Sequence, residues 1–335
     1  MPIGTDLVLR ESPAAEEVVL DGDRLGRTVE AAARRFGTPI ALPLMDLSIE
    51  KAVLLHALDV ADHPTYHFSK PPSAEIVGSI RRRLEEPATP RLRASVDAVG
   101  YIAEHTDLVP CAMAIGPFSL MTKLLADPIT PVYLAGTGVT AEEDADVRAV
   151  EAALELADEV ILHSLSAQIR AGARLAVIAE PAANMVYFSP RQLEKGSDIF
   201  ERYAMRHNRR IKEMLDRAGV DLFFHCCGEL TDEMVRQFGG LDPVVLSLGG
   251  SRNLWEDAAL VPDDVVLYGN LPSKRFYSDD LTAEAVGAMA RDMLRRMGAT
   301  GHPYILGTEC DVLSVPGRAA TIASKVRAFM EAPRG

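Results

Sequence analysis

Short apolar runs alternate with longer amphipathic stretches along the whole chain, and that alternation restricts it to an α/β fold. Runs of β character cover residues 39–45, 65–68, 108–115, 175–179, 222–226, 244–248, 265–268 and 304–307. Helical periodicity covers 95–105, 142–171, 197–218, 232–238, 283–297 and 318–330. A strand–helix repeat makes neighbouring strands parallel, because each helix carries the chain back before the next strand starts. Eight such strands predict a closed (β/α)8 TIM barrel. An open doubly wound sheet is the alternative, but no GxGxxG follows an early strand and no GxxxxGK[ST] occurs. Residues 1–36 read as an N-terminal extension with one helix over 24–36, and residues 37–335 as a single TIM-barrel catalytic domain.

The composition agrees with a large core. The chain has 335 residues, 48% of them hydrophobic, and a formal charge of −13. A surface that acidic repels phosphate backbones, so nucleic acid is not expected as a partner. Arg81-Arg82-Arg83, with Glu85 and Glu86 four residues beyond the first two, and Arg209-Arg210 read as exposed helix faces. His163 and His207 fall on expected helices and read as surface residues. The N-terminus lacks a basic start followed by an apolar core, so it does not read as a signal peptide. No apolar run reaches membrane-spanning length. A soluble, cytoplasmic protein with no membrane partner is expected, and a homodimer is the default assembly.

Four cysteines, at positions 111, 226, 227 and 310, are too few for a disulfide framework in a chain of this size. Two of them adjoin a histidine in FFHCCGEL, residues 223–230. Successive strand residues face opposite sides, so His225 and Cys227 point one way and Cys226 the other. Gly228 stops the run, which makes this the C-terminal end of its strand, where barrel enzymes build their sites. Cys310 ends the last strand, in YILGTECDVLSVPG. Strand ends converge on one mouth in a barrel, so His225, Cys227 and Cys310 are expected to meet. One imidazole and two thiolates make a three-ligand zinc set with its fourth position open. An isolated HxC is explained as well by a core histidine and buried filler; the two strand ends together favour zinc. Cys226 and Cys111 read as small apolar residues.

These residues carry a family likeness. The pieces AIGPFSLMTKLLADP, AQIRAGARLAVIAEPAANMVYFSP, FFHCCG, VVLYGNLPS and LGTECDVLSVPG, in that order, resemble the uroporphyrinogen decarboxylase superfamily. The resemblance is to its zinc-dependent, cobalamin-linked methyltransferase branch, which includes the methylcobamide:coenzyme M methyltransferases, and runs from about residue 38 to the end. It implies that His225, Cys227 and Cys310 are the metal ligands. The decarboxylases carry an arginine-rich N-terminal motif, whereas the equivalent segment here, ALPLMDLSIEKAVLL, has no arginine to grip substrate carboxylates. A metal-independent decarboxylase is therefore the alternative reading. The family often has Asp-Pro after its mid-barrel strand; this chain has Glu180-Pro181. Glu180 is expected to put a carboxylate at the mouth, as a displaceable zinc ligand, a base or an outer partner, and otherwise is a loop carboxylate at a helix start. Glu309 points away from Cys310 if its strand persists.

The likeness implies methyl transfer between a small-molecule donor or acceptor and a corrinoid. A thiolate would attack a methyl-cobalt corrinoid, or zinc would act as a Lewis acid on an ether, amine or halide donor while Co(I) takes the methyl group. No DxHxxG element occurs, so the corrinoid is expected on a partner protein. Gly116 and Asn270 lie in loops after strands, where backbone approaches a ligand closely and an amide can bond to substrate; turn chemistry explains both equally.

Overall fold

The computed structural model describes residues 3–60, 65–84 and 89–334. Seven strands form one sheet in sequence order: β1 Ile40–Ala41, β2 Val109–Ile115, β3 Leu175–Ala179, β4 Asp221–Cys226, β5 Val245–Leu248, β6 Val266–Leu271 and β7 Tyr304–Thr308. Every neighbouring pair is parallel. The sheet curls. Strands three places apart in a flat sheet stand about 14 Å from one another. Yet the sulfurs of Cys227, after β4, and Cys310, after β7, lie within 4.8 Å. The result is the curved parallel wall of a TIM-type fold.

Pairing register puts Met113, Val177, Phe223 and Val245 in one layer. They pack inside the curl with Cys111, Leu175, Tyr268, Leu42 and Ile3. The alternate residues Ala112, Ala114, Ile178, Phe224, Cys226 and Leu246 join the core beneath the helices. Burial of each large side chain contributes roughly 1.5–3 kcal/mol. The gap between the edge strands is spanned by the N-terminal segment. Val312 N donates to Ile3 O (2.7 Å), Ser314 N to Asp6 Oδ2 (2.7 Å) and Thr5 Oγ1 to Leu42 O (2.6 Å).

The expected eighth strand, at 65–68, is not a strand. Phe68 N bonds to Leu124 O at 2.9 Å, without a ladder. The reason lies at the edge of β2. Because β1 is only two residues long, the groups of β2 that face it beyond Pro110 have no strand partner. Buried backbone groups must still be paired. Gln168 accepts from Met113 N and donates to Met113 O, both at 3.0 Å. The buried Glu50 carboxyl lies by the Ile115 backbone, which counters the effect of burial on its pKa. Side chains from two helices, Ala145–Arg170 and Ile49–Ala57, thus stand in for a strand.

The expected helices appear with ends set by their caps. Asp144 accepts from Asp146 N and Val147 N at the start of Ala145–Arg170, and Gly37, at φ 60°, ends Gly22–Phe36. The stretch expected at 197–218 divides into a π-helical turn, Glu201–Met205, and the helix Arg206–Ala218. His207 is not a surface residue. It is 3% exposed, with Nδ1 2.8 Å from Asp158 Oδ2. Arg81 pairs with Glu159 at 2.8 Å; Glu85 and Glu86 lie outside the described residues. Among the described residues, no helix is long and apolar enough to cross a membrane.

Candidate metal centre

The alternation of β4 turns Phe223 and His225 inward and Phe224 and Cys226 towards the helices. His225 is 1% exposed. Register sets it opposite Ser247 on β5, and its Nδ1 lies 2.9 Å from Ser247 Oγ. With its proton on Nδ1, the ring donates to that hydroxyl and turns the lone pair of Nε2 the other way. Nε2 is buried and has no hydrogen-bond partner. Cys227 continues from β4 beside Gly249, where a Cβ would come within 2.6 Å of the Cys227 carbonyl oxygen. Cys310 follows β7, and its carbonyl accepts from Thr308 Oγ1 (2.8 Å) and Ser273 Oγ (3.0 Å). One ligand atom each from His225, Cys227 and Cys310 lies within 4.8 Å of the others. Among the described residues, this cluster has no fourth protein ligand.

The donor chemistry fits zinc. The set is one imidazole nitrogen and two sulfurs, and Nε2, buried without a partner, offers a lone pair when the ring proton is on Nδ1. The two thiols titrate as a pair. A hydrogen bond from Cys310 lowers Cys227 to about 3, with His225 adding to the effect and burial opposing it. The same bond pushes Cys310 up. One thiolate therefore forms readily and the second proton is held. Burial instead raises Cys111 to about 12 and pushes Cys226 up too, which marks both as packing residues.

Three side chains around the triad carry no motif in the sequence. Ser247 orients His225. Glu309 is 9% exposed; its Oε2 accepts from Gly250 N (3.1 Å) and its Oε1 from Lys274 N (3.4 Å), tying the loops after β5 and β6 to the end of β7. Lys274 is exposed, in the turn whose backbone amide meets Glu309. Burial lowers its pKa, but the charges of Cys227, Glu309 and Cys310 outweigh that and raise it.

Glu180, Gly116 and Asn270 are not among the clustered ligand atoms. Glu180 follows β3 and is fully buried. Its carboxylate accepts from Ser119 N (2.6 Å), Phe118 N (3.2 Å) and Asn208 Nδ2 (3.1 Å), and burial raises its pKa. Gly116 packs on it: a Cβ there would come within 2.3 Å of a carboxylate oxygen. Asn270 donates to Gly249 O (2.7 Å) and Arg252 O (2.9 Å), bracing the loop that passes Cys227.

Comparison with known proteins identifies the lineage. The family model described as uroporphyrinogen decarboxylase (URO-D) matches residues 8–334. The chain belongs to the URO-D family. No curated protein sequence matches it. Among solved structures it is similar to one titled "methyltransferase from Methanosarcina mazei", at 17% identity and a TM-score of 0.67. That alignment covers 99% of this chain and 91% of the other. At that identity the likeness establishes a shared fold. This URO-D fold therefore carries, at the C-terminal ends of β4 and β7, a His-Cys-Cys triad compatible with zinc.

Proposed function

We propose that this URO-D-family protein is a zinc-dependent methyltransferase that moves a methyl group between a small molecule and a corrinoid carried by a partner protein. The observation that carries the reading is the triad His225, Cys227 and Cys310, with a buried imidazole nitrogen left without a partner. The fold likeness to a protein titled methyltransferase supports it. Decarboxylation makes no use of two thiols and an imidazole at one strand mouth, and the segment ALPLMDLSIEKAVLL offers no arginine for a polycarboxylate.

His225, Cys227 and Cys310 would hold the zinc, which would keep a thiol deprotonated near neutral pH while leaving it nucleophilic, or polarise a donor heteroatom. The chain's own residues do the rest. Ser247 fixes the ring of His225, as outer partners of metal-bound histidines do. Ser273 and Thr308 hold Cys310 by its carbonyl. The layer of Val177, Phe223, Val245 and Tyr268 closes the site from below against water. Glu180 acts as a positioning residue: its occupied carboxylate fixes the Gly116-Pro117 turn at the barrel rim. Asn270 positions the loop beside Cys227.

The test is methyl transfer from methylcobalamin to a small thiol, followed by the change in the corrinoid spectrum. The wild-type protein should turn over. His225→Ala, Cys227→Ser and Cys310→Ser should each fall to background while keeping the wild-type circular dichroism. A triple variant that retains full methyl transfer would overturn the reading.

A further inference from the structure

The two sulfurs of the triad follow β4 and β7, three places apart in the sheet, so their separation is set by contacts between loops and not along one strand. The segment Gly249-Gly250, in the loop after β5, makes those contacts on both sides. A Cβ on Gly249 would come within 2.6 Å of the Cys227 carbonyl oxygen and 3.0 Å of its Cα. A Cβ on Gly250 would come within 2.7 Å of Glu309 Oε2, and the Gly250 N–H donates to that same oxygen at 3.1 Å. Glu309 adjoins Cys310, and its own N–H donates to Leu271 O at 2.8 Å, at the end of the ladder between β6 and β7. Neither glycine has a positive φ, so close approach and not turn geometry is what excludes a side chain. Asn270 Nδ2 holds the segment from the side, through Gly249 O at 2.7 Å.

We propose that Gly249-Gly250 and Glu309 form a spacer that fixes the distance between the Cys227 and Cys310 sulfurs, and so matches the site to zinc over a larger thiophilic ion such as cadmium. This rests on the zinc reading above. The argument is one of size. With zinc–sulfur bonds of about 2.3 Å at the tetrahedral angle, two sulfurs stand about 3.8 Å apart. The two sulfurs here lie within 4.8 Å of one another, so the backbone holds them near that span. A spacer without side chains is the thinnest a chain can build. A methyl group added at Gly250 must push the Glu309 carboxylate outward, and Cys310 follows it in the chain. That carboxylate ends a flexible side chain, but it is not free to swing. Glu309 is 9% exposed, and its two oxygens accept from Gly250 N and, at 3.4 Å, from Lys274 N. At Gly249 the obstacle is the Cys227 backbone itself. A widened pair of sulfurs suits longer metal–sulfur bonds, which cadmium makes with the same liking for thiolate. These residues act through the ligands and are positioning residues.

The experiment uses the whole protein as wild type, Gly250→Ala, Glu309→Ala and Glu309→Gln. Zinc and cadmium are each added alone, and their affinities are read by competition with a chelator, so no turnover is needed. Gly250→Ala should weaken zinc by about tenfold or more, the scale of a lost outer partner of a metal ligand, and cadmium by no more than about twofold. Glu309→Ala removes the strut and should erode the preference for zinc in the same direction. Glu309→Gln keeps an oxygen to accept from the Gly250 amide and should stay within about threefold of wild type for both ions. Equal weakening of both metals in Gly250→Ala and Glu309→Ala marks a loosened fold and would overturn the proposal. So would an unchanged zinc affinity in either variant. If Gly250→Ala does not fold, the two Glu309 variants decide on the same ratio, and a wild-type preference in Glu309→Ala would overturn it. A wild-type protein that takes up neither ion would remove the zinc reading itself. Zinc bound by the wild type, with no shift in preference among the variants, would leave that reading standing and remove the spacer alone.

Discussion

The ends of β3 and β4 lie side by side, with Ala179 in register with His225, and each delivers a buried polar side chain. Glu180 turns towards the helices and meets three donors at its carboxylate. His225 turns into the curl and meets one partner, Ser247, leaving Nε2 with none. A buried polar group without a hydrogen bond costs about 1–3 kcal/mol, so folds rarely keep one without a use for it. The filled carboxylate has the bonding of a scaffold residue, the role proposed for it above. The unfilled imidazole, with two sulfurs beside it, marks the place where a ligand belongs. Glu50 falls between the two cases: Ser164 Oγ donates to Oε1 at 2.9 Å, while Oε2 has no partner.

The contrast breaks most visibly at Glu180. Glu180→Ala should destabilise the fold by about 3–5 kcal/mol, because the amides of Phe118 and Ser119 and the Asn208 side chain all lose their acceptor. Thermal unfolding should show the drop, while the zinc content of the protein still folded at low temperature stays at the wild-type level. Loss of zinc with little change in melting temperature would place Glu180 in the metal centre instead.

Glu50 sharpens the comparison through pH. Burial raises its pKa from 4.5 to about 7, against the bonds from Ser164 and the backbone. The folded state therefore holds the proton more tightly than the unfolded chain. The stability this contributes is complete below the unfolded pKa and is lost as pH rises through the folded one. Wild type should lose up to about 3 kcal/mol from this source between pH 4.5 and 7. Glu50→Gln should flatten the profile over that window in denaturant titrations. An unchanged slope would show that Glu50 is ionised in the fold.

The smallest expected effect is at Ser247. Ser247→Ala removes the bond to His225 Nδ1 but no ligand. Zinc affinity should fall about 10–100-fold, the usual effect of losing such an outer partner. Competition with a chromogenic chelator measures it, and an affinity within twofold of wild type would deny Ser247 that role.

Much of this was legible in the sequence because it depends on local pattern. The strands at 175–179 and 222–226, and the facing of His225 with Cys227, follow from period-two alternation and a glycine stop. Their meeting with Cys310 follows from the convergence of parallel strand ends. The false strand at 65–68 arose because side chains replace a strand beside β2, and Gln168 and Glu50 carry no periodic signal of doing so. Ser247 had a weak sign, a hydroxyl within the apolar run VVLSL, but its partner depends on register between strands. Glu309 ties the loops after β5 and β6 to the end of β7, an arrangement only the folded chain reveals. His207 was misplaced because its burial depends on how the helix Arg206–Ala218 packs on Ala145–Arg170, through Asp158.

The central claim is that Cys310 joins His225 and Cys227 in one zinc site. Elemental mass spectrometry of the purified wild-type protein and of Cys310→Ser tests it most directly. The account predicts about one zinc per chain in the wild type and, in a variant with unchanged circular dichroism, only residual zinc. A folded wild-type protein that carries no zinc and refuses added zinc, or a Cys310→Ser variant that keeps its full equivalent, would contradict it.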